Sequence, residues 1–347
     1  MRTLWKKASV LGIITIWTVV ILGSPVVERR ATICNGYAEL CTRRYSNVTF
    51  IGAHDSFAYS NDPLALARDQ DVDIPTQLAL GVRLLQAQAH LHVMAFIVSN
   101  FKIVTHPFSR NWNGVLHFCH TSAFPDTCYV FSSIEILGCI LFDGGSVTDY
   151  LKKVKTFLDA NPNEVLTLLF TNPEGLSVKD VWKPAFDNSS ITPSIYVPPT
   201  IPLNQSDWPT LGEMIDSGKR VVVFMDSSTD TEAVNFILPE FSMIWETPFS
   251  VTNASFSCSV DRIHGPLATE DHTYLINHSL NKNILPSQGV IVSDPYDAQT
   301  TNGIPSIMSH VNGCLLLGSN RNPQFILLDF VNEGRGFKAA DQLNGLM

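Results

Sequence analysis

The chain has no Cys-x-x-Cys spacing, no glycine-rich dinucleotide fingerprint, no internal repeat and no low-complexity linker. The first absence removes the usual zinc pattern, and the second argues against a Rossmann-type sheet. Basic residues are also scarce: 23 Lys and Arg stand against 32 Asp and Glu, for a formal charge of -9 and a pI near 5.5. Such a chain gains no general attraction to a phosphate backbone, which argues against nucleic acid as a partner. The same balance disfavours strong binding to anionic membranes. The last residues, Asn344-Gly345-Leu346-Met347, carry no hydrophobic tail, so no GPI signal is expected.

What is present is a large apolar fraction. The 347 residues are 45% hydrophobic, enough for a sizeable core. An α/β barrel can use that length as one domain. Residues 1–30 read differently from the rest. Lys6 and Lys7 precede an apolar run from Ala8 to Gly23, which ends at Ser24-Pro25. This is the pattern of a secretory signal. The alternative is a single-pass anchor, but the run of 16 residues falls short of a span, for which ~20 residues are needed.

Export fits two further features. Asn-x-Ser/Thr acceptors occur at Asn47, Asn188, Asn204, Asn253 and Asn277, a set that suits a glycoprotein. The seven cysteines are Cys34, Cys41, Cys119, Cys128, Cys139, Cys258 and Cys314, so one has no partner within the chain. Cys34 and Cys41 lie close together and can staple the N-terminus in an oxidising compartment.

Apolar runs alternate with amphipathic stretches. Strands are expected at 48–53, 81–89, 115–119, 164–171, 220–225 and 325–331. Near-continuous apolar strands suit a parallel sheet covered on both faces. Ser146 to Ala160 reads as a helix capped by Ser146, with Val147, Tyr150, Leu151, Val154, Phe157 and Leu158 on one face. Leu211 to Ser217 reads as a shorter one. This alternation predicts a single-domain (β/α)8 TIM-type barrel, regular or distorted, over residues 31–347. Chemistry in such barrels sits at the C-terminal ends of the strands. His54, Gln88, His120, Asn172 and Asp329 fall at or near such ends.

Two histidines at neighbouring strand ends can divide acid and base work, because imidazole titrates near neutral pH. A carboxylate behind one of them fixes its tautomer and holds its positive charge. With ten histidines in the chain, ordinary structural positions remain the plain alternative for any two.

Ordered motifs single out His54 and His120. The segment Ile51-Gly52-Ala53-His54-Asp55-Ser56 resembles the opening of the phosphatidylinositol-specific phospholipase C catalytic barrel. Pro75-Thr76-Gln77-Leu78 with Gly81-Val82-Arg83, then Leu116 to Ser122, Asn161 to Val165 and Leu328 to Asn332, fit that family in order. Ser217 to Asp226 and Met243 to Phe249 resemble its secreted fungal branch. The resemblance runs from about residue 34 to residue 345. It implies His54 as general base, Asp329 as its carboxylate partner and His120 as general acid. Asp55 would support the leaving group by hydrogen bonding, although it can equally cap its own turn.

The chain also departs from the family. Where bacterial members carry an Asp and then an Arg, and calcium-dependent members carry carboxylates, this chain has Gln86 and Gln88. The position of a family lysine is Thr171. Gln86, Gln88 and Asn172 are therefore the expected substrate contacts. Loss of the charge that stabilises phosphate can cost on the order of 10²–10³ in rate. No metal or cofactor is expected, and a Ca²⁺ site is doubtful because hard cations usually need carboxylates. Arg83 has the opposite strand parity to Gln86 and Gln88 and should face away from them.

Two apolar, poorly patterned segments interrupt the family spacing, near 93–112 and 123–138. They read as translated introns or, alternatively, as a lid or membrane-touching loop. If they are artefacts, Cys128 is the odd cysteine and Cys119 pairs with Cys139. The expected function is a secreted phosphoric diester hydrolase acting on a phospholipid-type or glycerophospho-type headgroup, with at most transient contact with a membrane surface. The alternative is a catalytically impaired barrel that binds a headgroup, glycan or cell-wall component.

Overall fold

The computed structural model describes residues 30–62, 64–91, 115–120, 142–287 and 290–346. The N-terminal leader, both interrupting segments, Cys128 and Cys139 lie outside the described residues.

Twelve strands are present among the described residues. They are β1 (Phe50–Ala53), β2 (Leu84–Leu91), β3 (Leu116–Cys119), β4 (Asp143–Ser146), β5 (Leu166–Thr171) and β6 (Val221–Met225). The chain continues with β7 (Ile237–Pro239), β8 (Ile244–Glu246), β9 (Thr273–Asn277), β10 (Asn281–Leu285), β11 (Val290–Ser293) and β12 (Phe325–Leu328). Eight of them curl into one sheet in the order β7-β6-β5-β2-β1-β12-β9-β8, with every neighbouring pair parallel. This is the expected α/β barrel, opened along one seam between β7 and β8. β10 and β11 form a separate hairpin.

The third expected strand turned out differently. β3 does not join the parallel wall but pairs antiparallel with the far end of β2, and β4 pairs antiparallel with β3. A four-residue apolar strand has the same alternation in either direction, so its pattern cannot fix its orientation.

Seven α-helices accompany the strands among the described residues: α1 (Ile74–Leu80), α2 (Val147–Ala160), α3 (Lys183–Ser189), α4 (Leu211–Asp216), α5 (Ala298–Thr301), α6 (Ile304–Cys314) and α7 (Gly336–Leu343). α2 begins at Ser146, whose hydroxyl accepts from the Asp149 N–H, and it buries Val147, Tyr150, Leu151, Val154 and Leu158. α4 begins with a reciprocal Thr210–Glu213 capping box, a device that satisfies two otherwise orphaned N–H groups. None of these helices is long and apolar enough to cross a membrane.

Strand alternation sorts the core into two layers. Phe50, Leu84, Leu169, Phe224, Leu275 and Phe325 fill the lumen. Ile51, Leu85, Leu168, Val223, Ile276 and Ile326 face outward into the helix layer. Each such side chain stabilises the fold by about 1.5–3 kcal/mol when fully buried. Gly52 shows how tight the lumen is: a Cβ there would lie 2.7 Å from Leu84 Cδ2. The seam is closed at its C-terminal end by side chains. Glu240 follows β7, and its carboxyl hydrogen-bonds Glu246 at the end of β8. Burial, followed by the charge of Glu246, raises the Glu240 pKa well above the ordinary carboxyl range. Arg262 is salt-bridged to Glu246.

Disulfides join Cys34 to Cys41, as the spacing anticipates, and Cys258 to Cys314. Cys119 is disulfide-bonded as well. One glycosylation expectation fails: Asn277 is buried, and its amide donates to Glu246 and to the Thr247 carbonyl. Asn47, Asn188 and Asn253 are exposed.

Candidate active site

The residues that bear chemistry are the last lumen-facing positions of the strands. β1 runs Phe50, Gly52, then His54; β12 runs Phe325, Leu327, then Asp329. The register that pairs Gly52 with Leu327 places His54 beside Asp329. Their side chains meet, with His54 Nδ1 2.8 Å from Asp329 Oδ1. A carboxylate only accepts, so Nδ1 carries the proton and Nε2 is the free basic nitrogen. The His54 side chain is 28% exposed and Asp329 only 5%.

Behind His54 the chain turns sharply. Asp55 adopts φ 34°, and the Ala58 N–H returns to the Asp55 carbonyl at 2.7 Å. Gln86 braces the turn: its amide oxygen accepts from the Asp55 N–H at 2.7 Å, and its carbonyl accepts from the Ser56 N–H and hydroxyl. A non-glycine residue at positive φ persists only where its surroundings enforce it. Here they aim the Asp55 carboxylate at His120, which follows β3. His120 Nε2 lies 3.2 Å from Asp55 Oδ2 and 3.1 Å from Asp69 Oδ2.

Asp69 is the residue that sequence reasoning missed. It sits in the loop between β1 and α1, within the run Arg68-Asp69-Gln70-Asp71, where no periodicity marks it. Its Oδ1 accepts a hydrogen bond from the Ser293 hydroxyl at the end of β11. Five groups thus converge: His54, Asp55, Asp69, His120 and Asp329.

The imidazoles respond to these neighbours. Burial by itself lowers the His54 pKa, but the Asp329 carboxylate, with Asp55 and Asp69 behind it, outweighs burial and pushes it up to about 10. Burial likewise opposes the charge on His120, yet Asp69 and then Asp55 raise its pKa to about 9. The two nearby carboxyls part ways. Asp55 is pushed up by burial, whereas Asp69 is held below the ordinary range because His120 and Ser293 outweigh its burial.

The expected substrate contacts are placed unevenly. Gln86 faces the lumen, but its oxygen is spent on the Asp55 N–H. Gln88 is half-buried, and its backbone N–H donates to the Asp55 carboxylate. Asn172 does not join the group. Its amide closes a local turn with Leu176, donating at 3.0 Å and accepting at 3.0 Å. Thr171 sits in register with Gln88, and its buried hydroxyl has no partner. Arg83 faces away, bound to Glu164 at 2.7 Å. No Lys or Arg lies among the lumen-facing residues of the described barrel strands.

Two triplets bring three potential ligand atoms within 4.8 Å of one another: His54, Asp69 and Asp329, and Asp55, Asp69 and His120. Each would cost an imidazole its proton. In the stretch where calcium-dependent family members carry carboxylates, Gln86 is committed to Asp55 and neither 86 nor 88 is a carboxylate, the group that hard cations usually need.

The open parallel barrel is a fold shared with phosphatidylinositol-specific phospholipase C. A solved phosphatidylinositol-specific phospholipase C from Staphylococcus aureus shares the fold at TM-score 0.51 and 13% identity, covering 86% of this chain and 93% of that one. Residues 40–344 match the family model PI-PLC X 1, and the chain belongs to the PI-PLC X domain family. It is 38% identical over 340 residues to PI-PLC X domain-containing protein 1 of Arthroderma benhamiae, covering 97% of this chain and 96% of that protein. An uncharacterized secreted protein of the same fungus is 34% identical over 322 residues, covering 90% of this chain and 64% of that one.

Proposed function

We propose that the chain is a secreted phosphoric diester hydrolase that cleaves a phospholipid-type or glycerophospho-type headgroup by general acid–base catalysis. The observation that carries this reading is the His54–Asp329 pair standing in one group with His120 and Asp55. A hydroxyl of the substrate attacks phosphorus while His54 Nε2 takes its proton, and Asp329 holds the imidazolium that forms. The bond from phosphorus to the leaving oxygen breaks as His120 gives that oxygen a proton, with Asp55 supporting it by hydrogen bonding. A cyclic phosphate forms, and water opens it with the two roles exchanged. The imidazolium charges also serve where Gln88 and Thr171 bring none, since stabilising developing phosphate charge is a large part of such catalysis. No step passes through a metal. Secretion is supported by the leader pattern and by the secreted relative. A mature N-terminus near residues 24–33 is the expected result of sequencing the exported protein.

A second reading, a headgroup-binding protein without turnover, is favoured by the lack of Lys and Arg among the lumen-facing residues of the described barrel strands. One experiment separates the two. Turnover of a panel of phosphodiesters is measured with and without Ca²⁺, for the parent, His54→Ala and His120→Ala. Cleavage that both substitutions abolish supports the hydrolase. Binding without cleavage by the parent supports the binder, and cleavage that survives both substitutions refutes the site.

A further inference from the structure

We propose that Asp69 is the positioning residue of His120, so that the site is built from two imidazole–aspartate pairs, Asp329 with His54 and Asp69 with His120. The inference rests on His120 being the proton donor of the proposed reaction.

The geometry sets Asp69 apart from the other acid at His120. Three separate segments hold it. Its N–H donates to the Ala58 carbonyl at 2.9 Å, its carbonyl accepts from the Phe330 N–H at 2.8 Å, and its Oδ1 takes the Ser293 hydroxyl. The residue is 1% exposed. Its second oxygen, Oδ2, faces His120 Nε2 at 3.1 Å, and His120 hydrogen-bonds this carboxylate. A buried anionic oxygen is costly unless a cation neutralises it. Asp69, Asp55 and His54 are titratable groups that act on His120. His54 is the only one of these that can be a cation, and it is already committed to Asp329. Asp55 is the poorer anion, since its Oδ1 is buried without a partner and burial drives it towards the neutral form. The negative charge at His120 therefore resides on Asp69, and Ser293 keeps that carboxylate from turning away.

The test is an NMR titration of the ten imidazoles in the intact secreted protein, with His120 assigned by the signal lost in His120→Ala. Asp69→Asn keeps the shape and removes the charge. The His120 pKa is expected to fall by about 1–3 units, the usual effect of an adjacent opposite charge, and the His54 pKa by clearly less. An unchanged His120, or an equal fall at His54, overturns the proposal. Should Asp69→Asn fail to fold, Ser293→Ala reads the same link: a smaller fall at His120 supports it, and none overturns it. The titration needs no turnover. A parent that cleaves no phosphodiester would refute the hydrolase without touching this result. In an active parent, Asp69→Asn should also move the lower-pH break of kcat/KM, which His120 sets, to lower pH and reduce the maximum while the alkaline break set by His54 moves clearly less, a split that a purely structural loss would not produce.

Discussion

Two pairs of histidines occupy two regions of this barrel, and the same side chain behaves oppositely in them. At the lumen mouth His54 and His120 are pushed up to about 10 and about 9. Between the sheet and α6, His278 and His310 are pushed down to about 3 and about 4, by burial first. Burial opposes the charged form in both places, so burial does not distinguish them. The neighbours do. The first pair faces three carboxylates. In the second, His278 Nδ1 lies 3.0 Å from His310 Nδ1, His278 Nε2 meets the Thr301 carbonyl at 2.9 Å, and Phe256 packs on both rings. A carbonyl only accepts, so His278 holds its proton on Nε2 and His310 donates through Nδ1. That leaves two neutral rings in an apolar pocket. A buried histidine becomes a candidate for acid–base work here only where acids surround it.

The sharpest way to break this contrast is substitution at one member of each pair. His54→Ala should lower turnover by about 10²–10⁴-fold, the range for losing a general base. His310→Gln should leave kcat within about twofold while lowering the melting temperature. Equal losses of turnover from both would erase the distinction.

The next effect is on the pH–rate profile. The productive form needs neutral His54 and protonated His120. With apparent values of about 10 and about 9 for the coupled groups, that form is a minority at every pH and peaks between them. kcat/KM is therefore expected to rise about tenfold per pH unit from neutrality towards an alkaline maximum. A maximum below pH ~6.5, the ordinary histidine value, would show that the carboxylates do not hold the imidazoles as described.

The smallest effect is on stability, and the two pairs act at opposite ends of the pH scale. His54 and His120 bind protons more tightly folded than unfolded. Their contribution is full below the ordinary histidine value and is lost as pH rises through about 9 and about 10. His278 and His310 bind protons more weakly folded than unfolded. Their contribution is full above the ordinary value and is lost as pH falls towards about 4 and about 3. Each such group contributes a slope of about 1.4 kcal/mol per pH unit at most. Denaturant melts from pH 4 to 10 should show both limbs, and His310→Gln should flatten only the acid one.

Much of the barrel is legible in the sequence because long apolar runs leave little choice. β5, β6 and β12 are such runs, and α2 carries a clear helical stripe behind a capping serine. β7 and β8 are three residues each, Ile-Leu-Pro and Ile-Trp-Glu, too short for any period to register. β3 was legible as a strand but not as an antiparallel one, because its partner is the end of β2 that runs beyond the parallel wall. At the site, His54, Asp55, His120 and Asp329 stood out through ordered motifs. Asn172 shared the strand-end position, yet its side chain belongs to its own turn.

The sequence alone determined which side chains of a strand share a face, because β-strand side chains alternate strictly. That set Gln86 and Gln88 on one face and Arg83 on the other, while the structure showed which face is the lumen. Only the tertiary structure decided which acid stands against which imidazole. Asp69 meets Ser293 across 224 residues of chain and His120 across a strand that leaves the barrel wall. Coulomb interactions depend on distance in space and on the surrounding dielectric, and neither is written in spacing along the chain.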